Sequence, residues 1–236
     1  MKICFITSLF ADSYDKSDKP KPFNKKDNYD YYLFTNLDPE AFNTSWDIIN
    51  VKDTFKNTGI ESNIIKSRYP KFMGWKLIKD LLNKEYDVIF YCDAILNPDC
   101  NFDWQKYAIQ IQEHSDGIIQ KQHARNSYNE CNAIVHHRKD TRERMDKTIA
   151  FLKEKKFQHN YPMYENTAFG YDPNNKKLTD TFLDFWNEYS TYNTSHRDQP
   201  LWSYFQFKHN IIPLKFCFKG FPINTGRNGF SNHTYC

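Results

Sequence analysis

Glycine and proline are scarce in this chain, 7 and 10 of 236 residues, which excludes collagen-like and low-complexity architectures. No apolar run approaches the roughly 18 residues needed to span a bilayer, so no integral membrane segment is predicted. G-x-G-x-x-G and G-x-x-x-x-G-K-[ST] are both missing, which removes two common phosphate-binding loops and leaves any nucleotide to be held by other means. Neither sign of charge dominates: 32 Lys and Arg against 29 Asp and Glu give +3, and the basic residues are dispersed in short clusters at 24–26, 154–156 and 175–177. Without a basic stripe, no nucleic-acid partner is expected. The six cysteines form no C-x-x-C pair, which argues against a zinc ribbon or a thioredoxin-type site. Cys4, Cys92 and Cys217 sit in apolar runs, where a reduced thiol behaves as a small hydrophobe, so a reducing, cytoplasmic or membrane-peripheral location is expected. The opening "MKICFITSLFADSYD" reads as a first strand rather than a signal peptide, because Thr7 and Ser8 interrupt its apolar core.

What is abundant is aromatic: 17% of residues, in a polar chain with mean hydropathy −0.81. That composition and length suit one α/β domain with a full core. Strands are predicted at 2–10, 30–37, 46–51, 88–92, 116–123, 163–172 and 211–218. Helices are predicted at 62–83 with an interruption near Pro70, around 102–113, over a long charged stretch at 127–157, and at 178–192 and 198–210. Strands separated by helices imply a mostly parallel central sheet with helices on both faces, and such sheets bind ligands beyond the carboxyl ends of their strands.

One carboxylate is placed for that edge. In "YDVIFYCDAIL" five apolar residues lead straight into Asp93, the pattern of a buried strand delivering an acid to the end of a sheet. A carboxylate there suits a divalent cation, Mn²⁺ or Mg²⁺, although a turn aspartate would look the same. Thr7 and Ser8 end the first strand with hydroxyls suited to a base or ribose. "QKQHARNSYNEC" places His123 and Arg125 after a strand, where phosphate or sugar hydroxyls would meet them, while Ser127 and Glu130 fit a capping box. "YEN" puts Glu165 at a strand start, and "SHRDQPLW" puts Arg197, Asp198 and Gln199 at a helix start, either as a sugar-reading and proton-accepting cluster or with Asp198 as a plain N-cap. The pair His136 and His137 reads as a solvated helix surface.

In order and spacing these blocks resemble a glycosyltransferase-like family long carried as a domain of unknown function. The matching segments are "FITSLFADSYD", "YYLFTN", "SWDIINV", "SRYPKFMGWKL", "YDVIFYCDAIL", "KQHARNSYNEC" and "YEN…SHRDQPLW", spanning about residues 3–210. The resemblance implies a GT-A-like fold over one domain, 1–236, and transfer of a sugar from a nucleoside-diphosphate sugar, UDP-sugar favoured, to a hydroxyl of a glycan or glycoconjugate in polysaccharide biosynthesis. It further implies that Thr7, Ser8, Phe10, Phe34, Thr35, Tyr91 and Ala94 line the nucleotide pocket. Arg68 and Lys71 would approach the diphosphate beside Asp93, which would also be the metal ligand. His123 and Arg125 would face the acceptor, and Asp198, Glu165, Gln199 and Arg197 would form the catalytic group. The usual GT-A signature is Asp-x-Asp, yet its second position is Ile95 here, so either Asp93 serves the cation alone or Arg68 and Lys71 neutralise the leaving group without it. Two other readings fit parts of the pattern: a metal-dependent hydrolase using Asp93, His123 and Asp198, and a carbohydrate-binding relic without catalysis.

Overall fold

The computed structural model describes residues 1–191, 195–216 and 218–222. Strand β1 (Ile3–Leu9) is buried along its whole length. Its alternate side chains serve two cores, Cys4 and Ile6 on one face and Ile3, Phe5 and Leu9 on the other, as a period of two requires. The remaining strands are β2 (Tyr29–Thr35), β3 (Asp47–Asn50), β4 (Val88–Cys92), β5 (Ile118–Gln122), β6 (Tyr164–Tyr171) and β7 (Leu214–Lys215). They form a seven-stranded sheet in the order β3-β2-β1-β4-β6-β5-β7. The pairs β1–β2, β1–β4, β2–β3 and β5–β7 are parallel, and β6 runs antiparallel to both its neighbours. The sheet is thus mostly parallel, as expected, with one reversed strand. That reversal brings the start of β6 to the edge where β1, β2 and β4 end.

Both faces are covered, unequally. Helices α1 (Asn63–Leu77), α5 (Lys176–Thr191) and α6 (Asp198–Lys208) pack on the Cys4, Ile6 and Tyr91 face. Helix α2 (Trp104–Glu113), with Phe216 and Phe221, covers the Phe5 and Phe90 face. Trp104 lies 4.9 Å from both rings at inclined angles, the geometry aromatic quadrupoles favour. Among the described residues no helix is long and apolar enough to cross a membrane.

Three segments differ from expectation. Helix α1 runs through Pro70, and its irregular backbone lies at Met73 (φ −110°, ψ 15°), followed by a π turn over Ile78–Leu82. The expected single helix at 127–157 is two, α3 (Ser127–His136) and α4 (Arg142–Glu154), because Arg138 takes a positive φ of 53° and the Thr141 hydroxyl then caps α4 by accepting from the Arg144 amide. Among the described residues of 211–218, only Leu214 and Lys215 pair as a strand. Ile211 and Ile212 give their amides to Gln206 O and Asp116 Oδ2, and Pro213 has none to give. Cys217 in this segment lies outside the described residues.

Candidate active site

The carboxyl edge of the sheet opens into a cleft of about 1310 Å³. Asp93 enters it directly after β4, with its amide donating to Thr167 O at 2.8 Å and so extending the β4–β6 ladder by one residue. Arg68 and Lys71, one turn apart on α1, come from above, and Asp198, the first residue of α6, closes the far side. The four side chains form one continuous array. Lys71 Nζ lies 3.2 Å from Asp93 Oδ1 and 3.5 Å from Asp198 Oδ2, and Arg68 Nε lies 3.2 Å from Asp198 Oδ1. Lys71 and Asp198 are almost wholly buried, at 3% and 8% side-chain exposure, whereas Asp93 keeps 37%.

Burial alone would raise the Asp198 carboxyl, but Lys71 and Arg68 more than offset it and hold the group at about 2. Asn166, at the start of β6, adds a hydrogen bond to Asp198 Oδ2 at 3.0 Å. Its side-chain Oδ1 accepts from Gln120 Nε2 at 3.0 Å, and Gln120 Oε1 accepts from Gln206 Nε2 at 2.7 Å. A buried polar chain from β5 and α6 therefore fixes the amide that fixes Asp198. On the other flank the Tyr91 hydroxyl donates to Asp93 Oδ1 at 2.8 Å, and burial, then the Asp93 charge, push that phenol well up, so it stays a donor. Ser8 Oγ, 3.4 Å from the same hydroxyl, donates to Ser67 O at 2.7 Å and ties β1 to α1.

Of the residues singled out by sequence, Ser8, Phe10, Arg68, Lys71, Tyr91, Asp93, Ala94, Arg197, Asp198 and Gln199 line this one cleft. The buried side-chain nitrogen of Gln199 has no hydrogen-bond partner among the described residues. Thr7, Phe34 and Thr35 are fully buried in their strands and do not line it. Thr35 Oγ1 accepts from the Leu37 amide at 3.1 Å. Glu165 pairs with Lys121 at 2.8 Å and is not part of the cleft wall. His123 and Arg125 are also outside it: His123 Nδ1 accepts from the Arg125 amide at 2.9 Å, and Arg125 Nε meets Glu130 Oε2 at 2.6 Å. The expected capping box does not form. Asn126 caps α3, accepting from the Asn129 amide at 2.9 Å, which leaves Glu130 free of capping and paired with Arg125. Asp198 is no N-cap either; that position is Arg197, whose side chain makes no capping bond.

Sequence reasoning missed Asn166, Gln120 and Gln206. The available signal was Gln120, a polar residue inside the otherwise apolar start of β5. It also missed the wall that the α3–α4 region gives the cleft: Glu130 and His137, expected as a capping residue and a solvated surface, line it together with Lys139 and Arg144. His196 joins them, its pKa lowered by burial and by Arg144, whose Nη1 lies 3.1 Å from its Nδ1.

A divalent cation is a poor fit to these residues. Asp93 Oδ1 is occupied by Tyr91 and Lys71, Asp198 is held by Arg68, Lys71 and Asn166, and the Ile95 side chain offers no oxygen. Among the described residues no three His, Cys, Asp or Glu side chains are grouped so as to hold a metal ion.

No protein-family model matches the chain, and neither does any curated protein. Among solved structures it is similar to mouse xyloside xylosyltransferase 1 in its apo form, with a TM-score of 0.51 over 92% of this chain and 86% of that one, at 7% sequence identity. At that identity the likeness is one of fold: the α/β architecture expected from the sequence, a mostly parallel seven-stranded sheet with helices on both faces, is GT-A-like.

Proposed function

We propose that this chain transfers a sugar from a nucleoside-diphosphate sugar, a UDP-sugar first, to a hydroxyl of a glycan or glycoconjugate such as a growing polysaccharide. The observation that carries the reading is the Asp93–Lys71–Asp198–Arg68 array at the carboxyl edge of a GT-A-like sheet, beside a cleft large enough for donor and acceptor together. Departure of a nucleoside diphosphate leaves negative charge on its terminal phosphate, and preorganised cations aimed at that charge stabilise the transition state most. Arg68 and Lys71 supply them. Asp93, the more exposed carboxylate of the array, is available to the donor's ribose, and Ser8, Phe10 and Ala94 line the same cleft.

For Asp198 the surroundings support a positioning role rather than proton acceptance. A carboxylate held at about 2 and engaged through both oxygens is a weak base at neutral pH. Gln199, with a buried amide nitrogen left without a partner, and Arg197 suit the transferred sugar and its acceptor. The hydrolase reading needs Asp93, His123 and Asp198 together, and His123 is not on the cleft wall.

The test is a thermal-shift panel of nucleoside diphosphates and their sugars on the wild type and on Asp93→Ala. One nucleotide class is expected to raise the midpoint by about 5–10 °C at a hundredfold excess over Kd, with the shift at least halved in a variant that is itself folded. No shift with any nucleotide would end the proposal.

A further inference from the structure

The poor fit to a divalent cation has a specific cause. Lys71 Nζ stands between the Asp93 and Asp198 carboxylates, 3.2 and 3.5 Å away, on a side chain only 3% exposed and with its charge 4.9 Å from the centre of the Tyr91 ring. Two carboxylates converging on one point are what a hard cation requires, and here the point is taken by an ammonium. A metal ion there would sit within contact distance of a fixed positive charge, in surroundings where Coulomb repulsion is poorly screened. Arg68, beside it on the same helix face, brings a second positive charge to the end of β4, and the two cations are balanced by the Asp93 and Asp198 carboxylates.

We infer that Lys71 occupies the cation position of this site, and that Lys71 with Arg68 receives a diphosphate without a divalent metal. An ammonium has three N–H donors. Asp93 and Asp198 engage it from two sides as ion pairs, and Lys71 also lines the cleft, where a phosphate oxygen would meet a remaining donor. The carboxylates hold the ammonium in place, so no ordering of a flexible lysine is required when a phosphate arrives. Ile95 belongs to the same arrangement: half-buried against the Phe5 and Phe90 core, it serves packing where a second metal-binding acid would be superfluous.

The diphosphate half of this inference rests on the proposed function; the cation-position half does not. Two measurements separate them. Calorimetric titration of UDP and GDP into the wild type, in EDTA and in millimolar Mn²⁺, is expected to give affinities within twofold of each other. A tenfold or greater loss in EDTA would overturn the inference. Binding of Mn²⁺ alone, followed by its paramagnetic resonance, is expected to be absent at micromolar protein in the wild type and to appear in Lys71→Ala, where two carboxylates regain a shared vacancy. In that variant Mn²⁺ should also restore at least part of a tenfold-weakened nucleotide affinity. Lys71→Met, which keeps the volume but not the charge, should lose nucleotide affinity to the same degree and gain no Mn²⁺ site. Tight Mn²⁺ binding by the wild type, or none by a folded Lys71→Ala, would sink the assignment. If no nucleotide binds any of the three proteins, the proposed function falls, and the Mn²⁺ comparison still decides who holds the cation position.

Discussion

Asp198 is the residue whose meaning changed most between chain and fold. A carboxylate in the first turn of a helix is ordinarily accounted for by unpaired amides and the helix dipole, yet its oxygens go to Arg68, Lys71 and Asn166 instead. Its pKa falls from the usual 3.8 to about 2. A depressed carboxylate contributes stability that is complete above its unfolded value and disappears as pH drops through the folded one. The contribution is about 2 kcal/mol, present above roughly pH 5 and lost towards pH 2. Asp198→Asn removes the charge that Arg68 and Lys71 share, at a cost of about 3 kcal/mol at neutral pH. In urea unfolding from pH 7 down to 2, the wild-type and variant stabilities are expected to converge as the acid end is approached. Parallel curves would mean that the depressed Asp198 carboxyl contributes no pH-dependent stability.

Among the elements, β6 decides the site. Running antiparallel between β4 and β5, it carries Asn166 and Thr167 to the edge where Asp93 emerges. It also fits under α2 only because position 170 lacks a side chain. A Cβ built on Gly170 would meet Phe90 ring carbons at 2.5 and 2.6 Å and Ile111 Cδ1 at 2.8 Å. The Phe90 ring is stacked on Phe5 and tilted against Trp104 at 4.9 Å, which limits how far it can give way. Gly170→Ala is therefore expected to lose about 1–3 kcal/mol in denaturant unfolding, the range for overpacked cores, although alanine is the better strand residue. A neutral or stabilising result would show that this face of the sheet is looser than its aromatic contacts imply.

Across the whole molecule, the cleft is closed by chain segments far apart in sequence. The turn between α3 and α4 reaches over to the segment preceding α6: Asp140 Oδ2 accepts from Ser195 Oγ at 3.1 Å and from the His196 amide at 2.8 Å, and its other oxygen meets Arg144 Nη1 at 3.3 Å. The Asp140 side chain is only 1% exposed. Asp140→Ala should lower stability by about 2–4 kcal/mol, because buried donors and Arg144 lose their acceptor. It should also weaken nucleotide protection in the thermal-shift panel, since Arg197 and Asp198 follow directly. Arg142→Ala, which breaks an exposed 3.8 Å pair with Asp146, is expected to change stability by less than about 0.5 kcal/mol. Equal effects of the two substitutions would remove Asp140 from any role in holding the cleft together.

Much of this was legible in the chain, because burial periodicity and strand-end polarity are local properties. The order of strands and helices, the two-faced β1, and the position of Asp93 beyond β4 follow from patterns a few residues long. Asp198 and Gln199 were visible as candidates at a helix start, whereas Arg68 and Lys71 entered only through the family resemblance. What the chain could not disclose is who meets whom. That Lys71 lies between Asp93 and Asp198, that Asn166 hangs from Gln120 and Gln206, and that Glu165 and His123 stay off the cleft depend on the reversal of β6 and the angle at which α1 and α6 cross the sheet edge. Those are outcomes of packing between residues up to 130 positions apart, as Arg68 and Asp198 are. Local sequence determines which side chains are charged and which strands are buried. Only the closed core decides which charges are brought close enough, and dry enough, to act on one another.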